Sequence, residues 1–469
     1  MKEIYISEQA FLAIVFAAAE VYRRESYGLL FGYALPGKVI VEGALPYQTA
    51  ERRFSEVSLF ERENKIIQSL IARFPKHEYL GEFHSHADYR GREAQAALTP
   101  EDLDAIGGEL DAIRDEVLAD LGERDAAYIR KVVKVQRGLE GAGRAALLVS
   151  LFPPAWLAGT TALSVAKVLE NMELGHNVMH GQWDWMRDPE IHSTTWEWDN
   201  VTAAEGWKKS HNYEHHSYTN VVGKDRDLGY TLLRLDADQP WKPFHLAQPL
   251  YNIVLAVGFQ WGVALYDLEL DEARKGRKPW SRVASDVSRL GRKAARQIGK
   301  DYVAWPLLSG FSAVPALLGN LTANVVRNVW THTVIFCGHF PDGAETFDFN
   351  ESDLDGESRG GWYVRQLLGS CNVDGPPVLH LMTGNLSYQI EHHLFPDLPS
   401  NRYAEVAPRV RALCERYDLP YVSGPLPKQY AQVVRKILRM SLPGGGQATP
   451  DEAADATATR QDAILRLVA

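Results

Sequence analysis

Residues 175–220 begin with GHNVMHGQWDW (175–185) and end with HNYEHHSYTN (211–220), and these two motifs guide the interpretation of the whole chain. In the first motif His176 and His180 are four residues apart, so both side chains lie on one face of a helix. The second motif repeats that spacing in His211 and His215 and continues directly with His216. Far downstream, YQIEHHLFPDLP (388–399) adds a glutamine and two adjacent histidines.

The seven imidazoles of these motifs indicate a metal centre rather than a packed core. Imidazole is a ligand for Fe, Cu, Zn and Ni, and a set poor in carboxylates and free of thiolates argues against Mg and Ca. A tetrahedral zinc site takes four ligands at most, so this number of histidines predicts a polynuclear site. We interpret it as a two-iron, oxygen-activating centre, since thiolate ligands would be oxidised there.

The motifs HxxxH, HxxxHH and QxxHH, in this order, resemble those of the membrane fatty acid desaturases. Three longer segments are similar to the actinobacterial acyl desaturases in particular, and the resemblance extends from about Leu98 to Leu438. The segments are ENMELGHNVMHGQWDWMRDPEIHSTTWEWD (170–199), IFCGHFPDGAE (335–345) and GNLSYQIEHHLFPDLPSNRYAEVAPRVRALCERY (384–417).

This resemblance implies an O₂-dependent enzyme that inserts a double bond into a fatty acyl chain carried on CoA or on a lipid. It also implies two irons, and His339 joins the box histidines as a ligand because it ends a predicted membrane helix. Gln389 stands where many desaturases have a histidine, and is either a weak ligand or a hydrogen-bond donor to one. The predicted ligands are His176, His180, His211, His215, His216, His339, His392 and His393.

The electrons for such a reaction are expected from a separate protein, a ferredoxin or a flavoprotein reductase. The sequence has no HPGG haem motif, flavin fingerprint or CxxC cluster. The segment Arg274–Lys300 carries ten Lys and Arg residues, and is either a docking surface for an acidic donor or lipid headgroups, or a determinant of membrane topology. A net charge of −10 argues against a nucleic-acid partner.

Uncharged stretches predict a mostly α-helical, polytopic membrane protein with about four spans. Ala145–Ala166 lacks charge over 22 residues, but Pro153 and Pro154 favour a tight hairpin over one straight span. The segment Tyr302–Pro341 is interpreted as two further spans that meet near Pro315 to Gly319. Pro243–Tyr266 is expected to lie in the membrane interface or to re-enter it.

The histidine boxes and the basic segment are expected on one side of the membrane. The protein is therefore predicted to be an integral protein of the cell membrane whose active site faces the cytoplasm. Between residue 99 and Arg130 the pattern predicts one continuous helix that leads into the first hairpin. The predicted domains are an α/β segment at 1–103, a desaturase domain at 104–440 and a disordered tail at 441–469.

The N-terminal segment resembles the JAMM (Mov34/MPN) metalloproteases, in a possibly truncated form. ESYGLLFG (25–32), HSH (84–86) and TPED (99–102) match a pattern of glutamate, HxH and SxxD. The resemblance implies a zinc held by His84, His86 and Asp102, with Glu25 as general base and Thr99 at an oxyanion-stabilising position. The alternative is that HSH ends a strand without binding a metal.

Three other functions stay open at this point. A hydroxylase would share the boxes, because only the fate of the second hydrogen distinguishes the two reactions. A JAMM zinc peptidase could use the desaturase part as an anchor, although an anchor does not require eight aligned imidazoles. A membrane protein that stores or senses iron would bind the metal without forming a double bond.

Overall fold

The chain divides into two compact units, Met1–Thr99 with Phe347–Glu357, and Pro100–Thr346 with Ser358–Ala469. The predicted domain limits at residues 103 and 440 stay predictions. The computed structural model describes residues 3–7, 10–14, 27–35, 38–46, 51–52, 57–58, 78–84, 98–236, 239–347 and 356–444.

The first unit contains a four-stranded sheet in the order β1-β3-β2-β6. Strand β1 pairs with β3 in parallel, whereas β2 pairs with β3 and β6 in antiparallel fashion. His84 is the last residue of β6 and pairs with Tyr27. The strands are β1 Glu3–Ile6, β2 Tyr27–Leu35, β3 Lys38–Pro46, β4 Glu51–Arg52, β5 Val57–Ser58 and β6 Glu78–His84.

The second unit is mainly helical, in agreement with the predicted fold class. Its short strands β7 (Asn372–Asp374) and β8 (Ser423–Pro425) pair in parallel. The principal helices are α1 Pro100–Ala119, α2 Glu123–Leu147, α3 Pro153–Leu169, α4 Gln248–Val257, α5 Phe259–Tyr266, α6 Trp280–Ile298, α7 Ala313–His339, α8 Arg359–Leu368, α9 Pro377–Met382, α10 Gln389–Leu394, α11 Tyr403–Arg416 and α12 Leu426–Met440.

The predicted continuous helix from residue 99 to Arg130 is wrong, because the chain breaks between α1 and α2. Gly122 has an extended backbone (φ −164°), and its N–H donates a hydrogen bond to Oδ2 of Asp125 at 3.2 Å. The side chain of Asp125 thus caps the start of α2 and fixes the break.

Helices α2 and α3 form the predicted hairpin. Pro153 is the first residue of α3, where a proline loses no helical hydrogen bond. Two glycines bring the helices into backbone contact: a Cβ on Gly143 would lie 2.9 Å from the Leu163 nitrogen, and one on Gly159 3.0 Å from the Gly143 oxygen. Any larger residue at these positions would push the two helices apart.

Helix α7 forms a second helical hairpin with the segment that precedes it. The turn of this hairpin does not lie at the predicted position. The turn lies at residues 309–312, where Gly310 has a left-handed backbone (φ 54°). Pro315 falls in the first turn of α7, where backbone N–H groups have no intrahelical partner, so it does not break the helix. The two hairpin turns touch, since the Leu151 N–H donates to Oγ of Ser312 at 3.3 Å.

A buried charge cluster ties the hairpins together. Asp301, whose side chain is fully buried, accepts hydrogen bonds from Nη2 of Arg144 at 2.7 Å and from Nζ of Lys167 at 2.9 Å. Asn324 on α7 donates to the same carboxylate at 3.0 Å. The carboxylate is therefore compensated by two cations and an amide, as a buried charge requires.

Helix length and hydropathy decide whether the described ranges contain a membrane span. No single helix there is both long and apolar enough for a membrane span, whereas Pro243–Val257 and Phe259–Arg274, bent by 100° relative to each other, satisfy both conditions as a pair.

Candidate metal centre

The first histidine box follows α3 without a break. Helix α3 continues through a π-helical turn (Glu170–His176) into Asn177–Met179. The turn carries one extra residue relative to an α-helix, a feature frequent at functional sites. It places the rings of His176 and His180 4.7 Å apart. Both imidazoles are thus directed toward the same position in the interior.

The second box repeats this local geometry. A short helix (Ala204–Trp207) continues as a π-helical segment (Lys208–His215) and ends with His216–Tyr218. The rings of His211 and His215 stack at 5.0 Å and 22°. His216, the next residue, contacts the rings of both His180 and His393, at 4.7 and 4.4 Å.

The third box forms α10, and α7 ends beside it. His392 and His393 are fully buried on α10, and His339 is the last residue of α7. Nε2 of His393 lies 3.2 Å from Nε2 of His339, and Nε2 of His392 lies 3.2 Å from Nε2 of His176. The three boxes and the end of α7 therefore meet in one place.

The structure brings all eight predicted histidines together, in two groups joined by His216. Within each group the ligand atoms lie within 4.8 Å of one another, close enough to bind one metal ion per group. The first group is His176, His180, His211 and His392, and the second is His215, His339 and His393. Four further histidines after residue 140 lie outside both groups, namely His192, His245, His332 and His380.

Hydrogen bonds to the outer nitrogens orient the rings. Nδ1 of His215 lies 2.9 Å from Oδ2 of Asp225, and Nδ1 of His211 lies 3.3 Å from Oδ2 of Asp227. A carboxylate that accepts from Nδ1–H fixes the tautomer with a free Nε2 lone pair and raises its basicity. The two aspartates therefore direct both Nε2 atoms inward.

Box three has a comparable shell, made of neutral groups. Nδ1 of His392 lies 3.1 Å from the Tyr403 hydroxyl, and Nδ1 of His393 lies 3.0 Å from Oε1 of Gln366. Tyr403 begins α11 and Gln366 lies on α8. Sequence reasoning missed both residues because no local spacing connects them with the boxes.

The donor set fits two metal ions. Among the described residues, Nε2 of His180, Nε2 of His211 and both nitrogens of His216 are buried without a hydrogen-bond partner. Unpaired buried polar atoms are costly, so a cluster of them requires an explanation such as an ion. Burial lowers the pKa of His176 to about 3, which keeps its imidazole neutral and able to donate a lone pair.

Gln389 lies at the edge of the second group. Its Nε2 is 2.9 Å from Nε2 of His339, and its Oε1 is buried with no partner among the described residues. Gly338 makes room for this amide, since a Cβ there would lie 2.9 Å from Cδ of Gln389. The second group has three histidines, so the unpaired amide oxygen is available as a fourth donor.

Two of the five residues of the predicted zinc site lie outside the described part of the chain. Glu25 and His86 belong to the residues that the structure does not describe. His84 ends strand β6, Thr99 directly precedes α1, and Asp102 lies in the first turn of that helix. The JAMM-like zinc site stays a prediction.

A narrow cavity of about 40 Å³ reaches the first histidine group. His176 and His211 line it, and so does a hydrogen-bonded row in which Asn200 donates to Asn171 at 3.0 Å and Asn171 donates to Thr331 at 3.1 Å. The other polar residues of the wall are Ser210, Asp227, Gln260 and Asn328. The apolar lining is Met172, Trp198, Trp207, Tyr230, Phe259, Val263 and Ile335.

Comparison with known proteins places this site in context. The family model described as "Fatty acid desaturase" matches residues 152–425. An NADPH-dependent stearoyl-CoA 9-desaturase of Mycobacterium tuberculosis is 50% identical over 374 residues, which cover 79% of this chain and 87% of the relative. An sn-1 linoleoyl-lipid 6-desaturase of Synechocystis is 25% identical over 283 residues, 57% of this chain and 75% of that protein.

Proposed function

The chain belongs to the fatty acid desaturase family, and from this we propose that it inserts a double bond into a fatty acyl chain with two irons and O₂. One observation carries the proposal: two groups of imidazoles lie together in the interior, and His176 and His211 of the first group line a narrow cavity with seven apolar or aromatic side chains. When bound, the metal would supply the oxidant that removes hydrogen from an unactivated methylene, a step that no side chain performs.

Eight histidines would hold the irons, and the chain's other residues would position them and the substrate. Asp225 and Asp227 keep the proton on Nδ1 of His215 and His211. Trp198 and Trp207 line the cavity beside His176 and exclude water from it. Exclusion of water protects a reactive centre from side reactions.

The stoichiometry requires an external reductant. Two adjacent methylenes give up two electrons and two protons when they form a double bond, whereas O₂ takes four of each to become two waters. The remaining two electrons and two protons come from outside the acyl chain. A ferredoxin or flavoprotein reductase would supply these electrons, and the NADPH-dependence named for the mycobacterial relative supports such a source.

The same relative supports an acyl-CoA substrate and position 9 for the double bond. An acyl-lipid is the other carrier that relatives in this family use by name. The identity to the mycobacterial protein is twice as high and extends over more of both chains, so we propose stearoyl-CoA as the substrate to test first.

We further propose that the two hairpin turns insert into the cell membrane, with the histidine boxes on the cytoplasmic side. Large apolar side chains are exposed at the turns, and Phe311 is 97% exposed. Contiguous exposed apolar surface of this kind is typical of a lipid contact. The exposed apolar residues at the turns are Val149, Leu151, Phe152, Leu157, Leu307, Leu308, Phe311 and Val314.

The experiment is an assay of the detergent-purified protein with stearoyl-CoA, NADPH, a reductase and ferredoxin, and O₂. We expect about two irons per chain and an 18-carbon product with one double bond, both lost in His215→Ala. A hydroxylated product would instead support the hydroxylase. A protein that holds zinc and no iron, and that loses the zinc only in His84→Ala, would contradict the proposal and favour the peptidase.

A further inference from the structure

A second cavity of the helical unit, a surface groove of about 430 Å³, lies on the outer side of the third histidine box. The ends of strands β7 and β8, helix α9 and helix α11 form its walls. Its lining combines two phenol rings, an imidazole, a guanidinium and a carboxylate: Tyr388, Tyr421, His380, Arg411 and Asp374. No residue of this groove lines the narrow cavity that reaches His176 and His211.

The groove connects directly to a histidine of the metal centre. The rings of His380 and Tyr388 stack at 4.7 Å and 30°. The carbonyl of Tyr388 accepts a hydrogen bond from the backbone N–H of His392 at 2.9 Å. A molecule in contact with His380 and Tyr388 is therefore separated by one hydrogen bond from His392, a predicted metal ligand.

A second connection runs through Glu391, which is fully buried beside His392. The hydroxyl of Tyr421 donates to its Oε1 at 2.7 Å, and the amide of Asn372 donates to its Oε2 at 2.8 Å. Both donors line the groove. Two separate bonded routes thus join the wall of the groove to α10.

The charge on the groove is available to a partner. Arg411 is exposed and stacks over the Tyr421 ring at 4.8 Å, and it forms no ion pair with any residue that the structure describes. On the basic helix α6, Arg282 and Arg289 pair with Glu205 and Lys293 pairs with Glu197, whereas the exposed Arg292 and Arg296 form no ion pair with a described residue. Tyrosine and arginine are the residues that most often dominate protein–protein contacts.

We propose that this groove is the docking site of the electron-donor protein, and that electrons enter the metal centre through Tyr388 and His392. The proposal rests on the proposed function, since only a reaction that takes two external electrons needs such an entry. The occupant is a redox protein with an exposed cofactor edge and an acidic rim that meets Arg411. The acyl chain would then use the narrow cavity and the donor would use the groove, so neither blocks the other.

Two variants test the groove by different means. Arg411→Glu reverses its charge, and Ala404→Trp fills it from an exposed position on α11. Arg292→Glu on α6 is the matched control, because it reverses an exposed arginine on the alternative basic surface. The full-length, iron-loaded protein is used throughout, with a [2Fe–2S] ferredoxin reduced by NADPH and a flavoprotein reductase as the probe.

The rate of iron reduction is followed anaerobically by the loss of ferric absorbance, once with reduced ferredoxin and once with dithionite. We expect both groove variants to slow the ferredoxin reaction about tenfold, with unchanged dithionite reaction and unchanged iron content. Binding of ferredoxin, measured separately on immobilised protein, should weaken in parallel. For the wild type, but not for Arg411→Glu, the rate should fall as salt is added.

Unchanged ferredoxin binding and reduction in both groove variants would overturn the proposal, and a loss in Arg292→Glu alone would move the docking site to α6. A loss of binding to phosphatidylglycerol vesicles in Arg411→Glu, with normal ferredoxin kinetics, would overturn it in favour of a lipid contact. The proposed function fails in a different way, when the wild-type protein binds no iron.

Discussion

Tyr403 supports His392 from behind, with its hydroxyl 3.1 Å from Nδ1 of the imidazole. The same hydroxyl accepts a hydrogen bond from Nε2 of Gln182 at 2.9 Å, so the phenol links the first and third histidine boxes. Because Gln182 follows His180 by two residues, a shift in either box is transmitted to the other. The two boxes are thus held in register by one buried phenol.

Removal of this hydroxyl should loosen the metal centre. We expect Tyr403→Phe to lower iron affinity about 10- to 100-fold, because His392 loses the group that fixes its ring orientation. Competition with a chelator measures the affinity. Tyr417→Phe at the end of the same helix is the control, and an equal loss in both variants would contradict a specific role for Tyr403.

Substitutions of Gln389 should show whether its side chain is a metal ligand or only orients His339. If its unpaired Oε1 binds a metal ion, Gln389→Leu should reduce iron from about two to about one per chain, whereas Gln389→His should retain both. The measurement is metal content, combined with the Mössbauer spectrum of the ⁵⁷Fe-loaded protein. Two irons with an unchanged spectrum in Gln389→Leu would leave Gln389 only as a neighbour of His339.

The narrow cavity should determine which lengths of acyl chain the protein accepts. Ile335 lies in its wall, so Ile335→Trp should reduce the conversion of stearoyl-CoA more than that of a shorter acyl-CoA, because the indole fills a narrow space. Product analysis with a mixture of acyl-CoA substrates measures this ratio. Ile298→Trp, at an exposed position on α6, is the control; an unaltered ratio in Ile335→Trp would place the chain elsewhere.

The buried carboxylate of Asp301 should be essential for stability. Asp301→Asn leaves Arg144 and Lys167 without their shared counter-charge, and we expect a loss of about 3–5 kcal/mol in the free energy of unfolding. Thermal or denaturant unfolding in detergent measures it. Glu109→Gln breaks the exposed pair with Arg416 and should cost at most about 1 kcal/mol. Similar losses in the two variants would contradict this interpretation.

The metal-free protein should become less stable in mild acid. The pKa of His176 in the folded chain is about 3, below its value of about 6.5 in an unfolded chain. The unfolded state therefore binds more protons as the pH falls from about 6.5 to 3, and stability is lost across this window. Denaturant midpoints at several pH values measure the effect, and His176→Gln should show a shallower dependence.

Local spacing predicted much of the metal centre, because ligands on one helix face repeat every four residues. The two i, i+4 pairs and the adjacent doublets were sufficient to select seven histidines, and the structure places all of them together. The position of His339 followed from the end of an apolar segment. Tyr403 and Gln366 were missed, because they reach the site only through the tertiary fold.

Helix ends were predicted less well, since they depend on single residues. The break before α2 depends on Gly122 and Asp125, and a pattern of apolar residues does not reveal it. The turn before α7 was expected at Pro315 to Gly319, but a proline in the first turn of a helix is tolerated, and the helix continues through Gly319. The π-helical turns in the first and second boxes were also not predicted, because i, i+4 spacing is compatible with an ordinary helix.

Because of these π-helical turns, the first and second boxes should be sensitive to the deletion of a single residue. A turn with an extra residue is equivalent to an insertion in a regular helix, and each residue of an α-helix advances the phase by about 100°. Deletion of one residue between Glu170 and Gly175 would therefore rotate His176 and His180 together, away from the shared centre. Insertions and deletions in this segment should abolish the site even where every histidine codon is preserved.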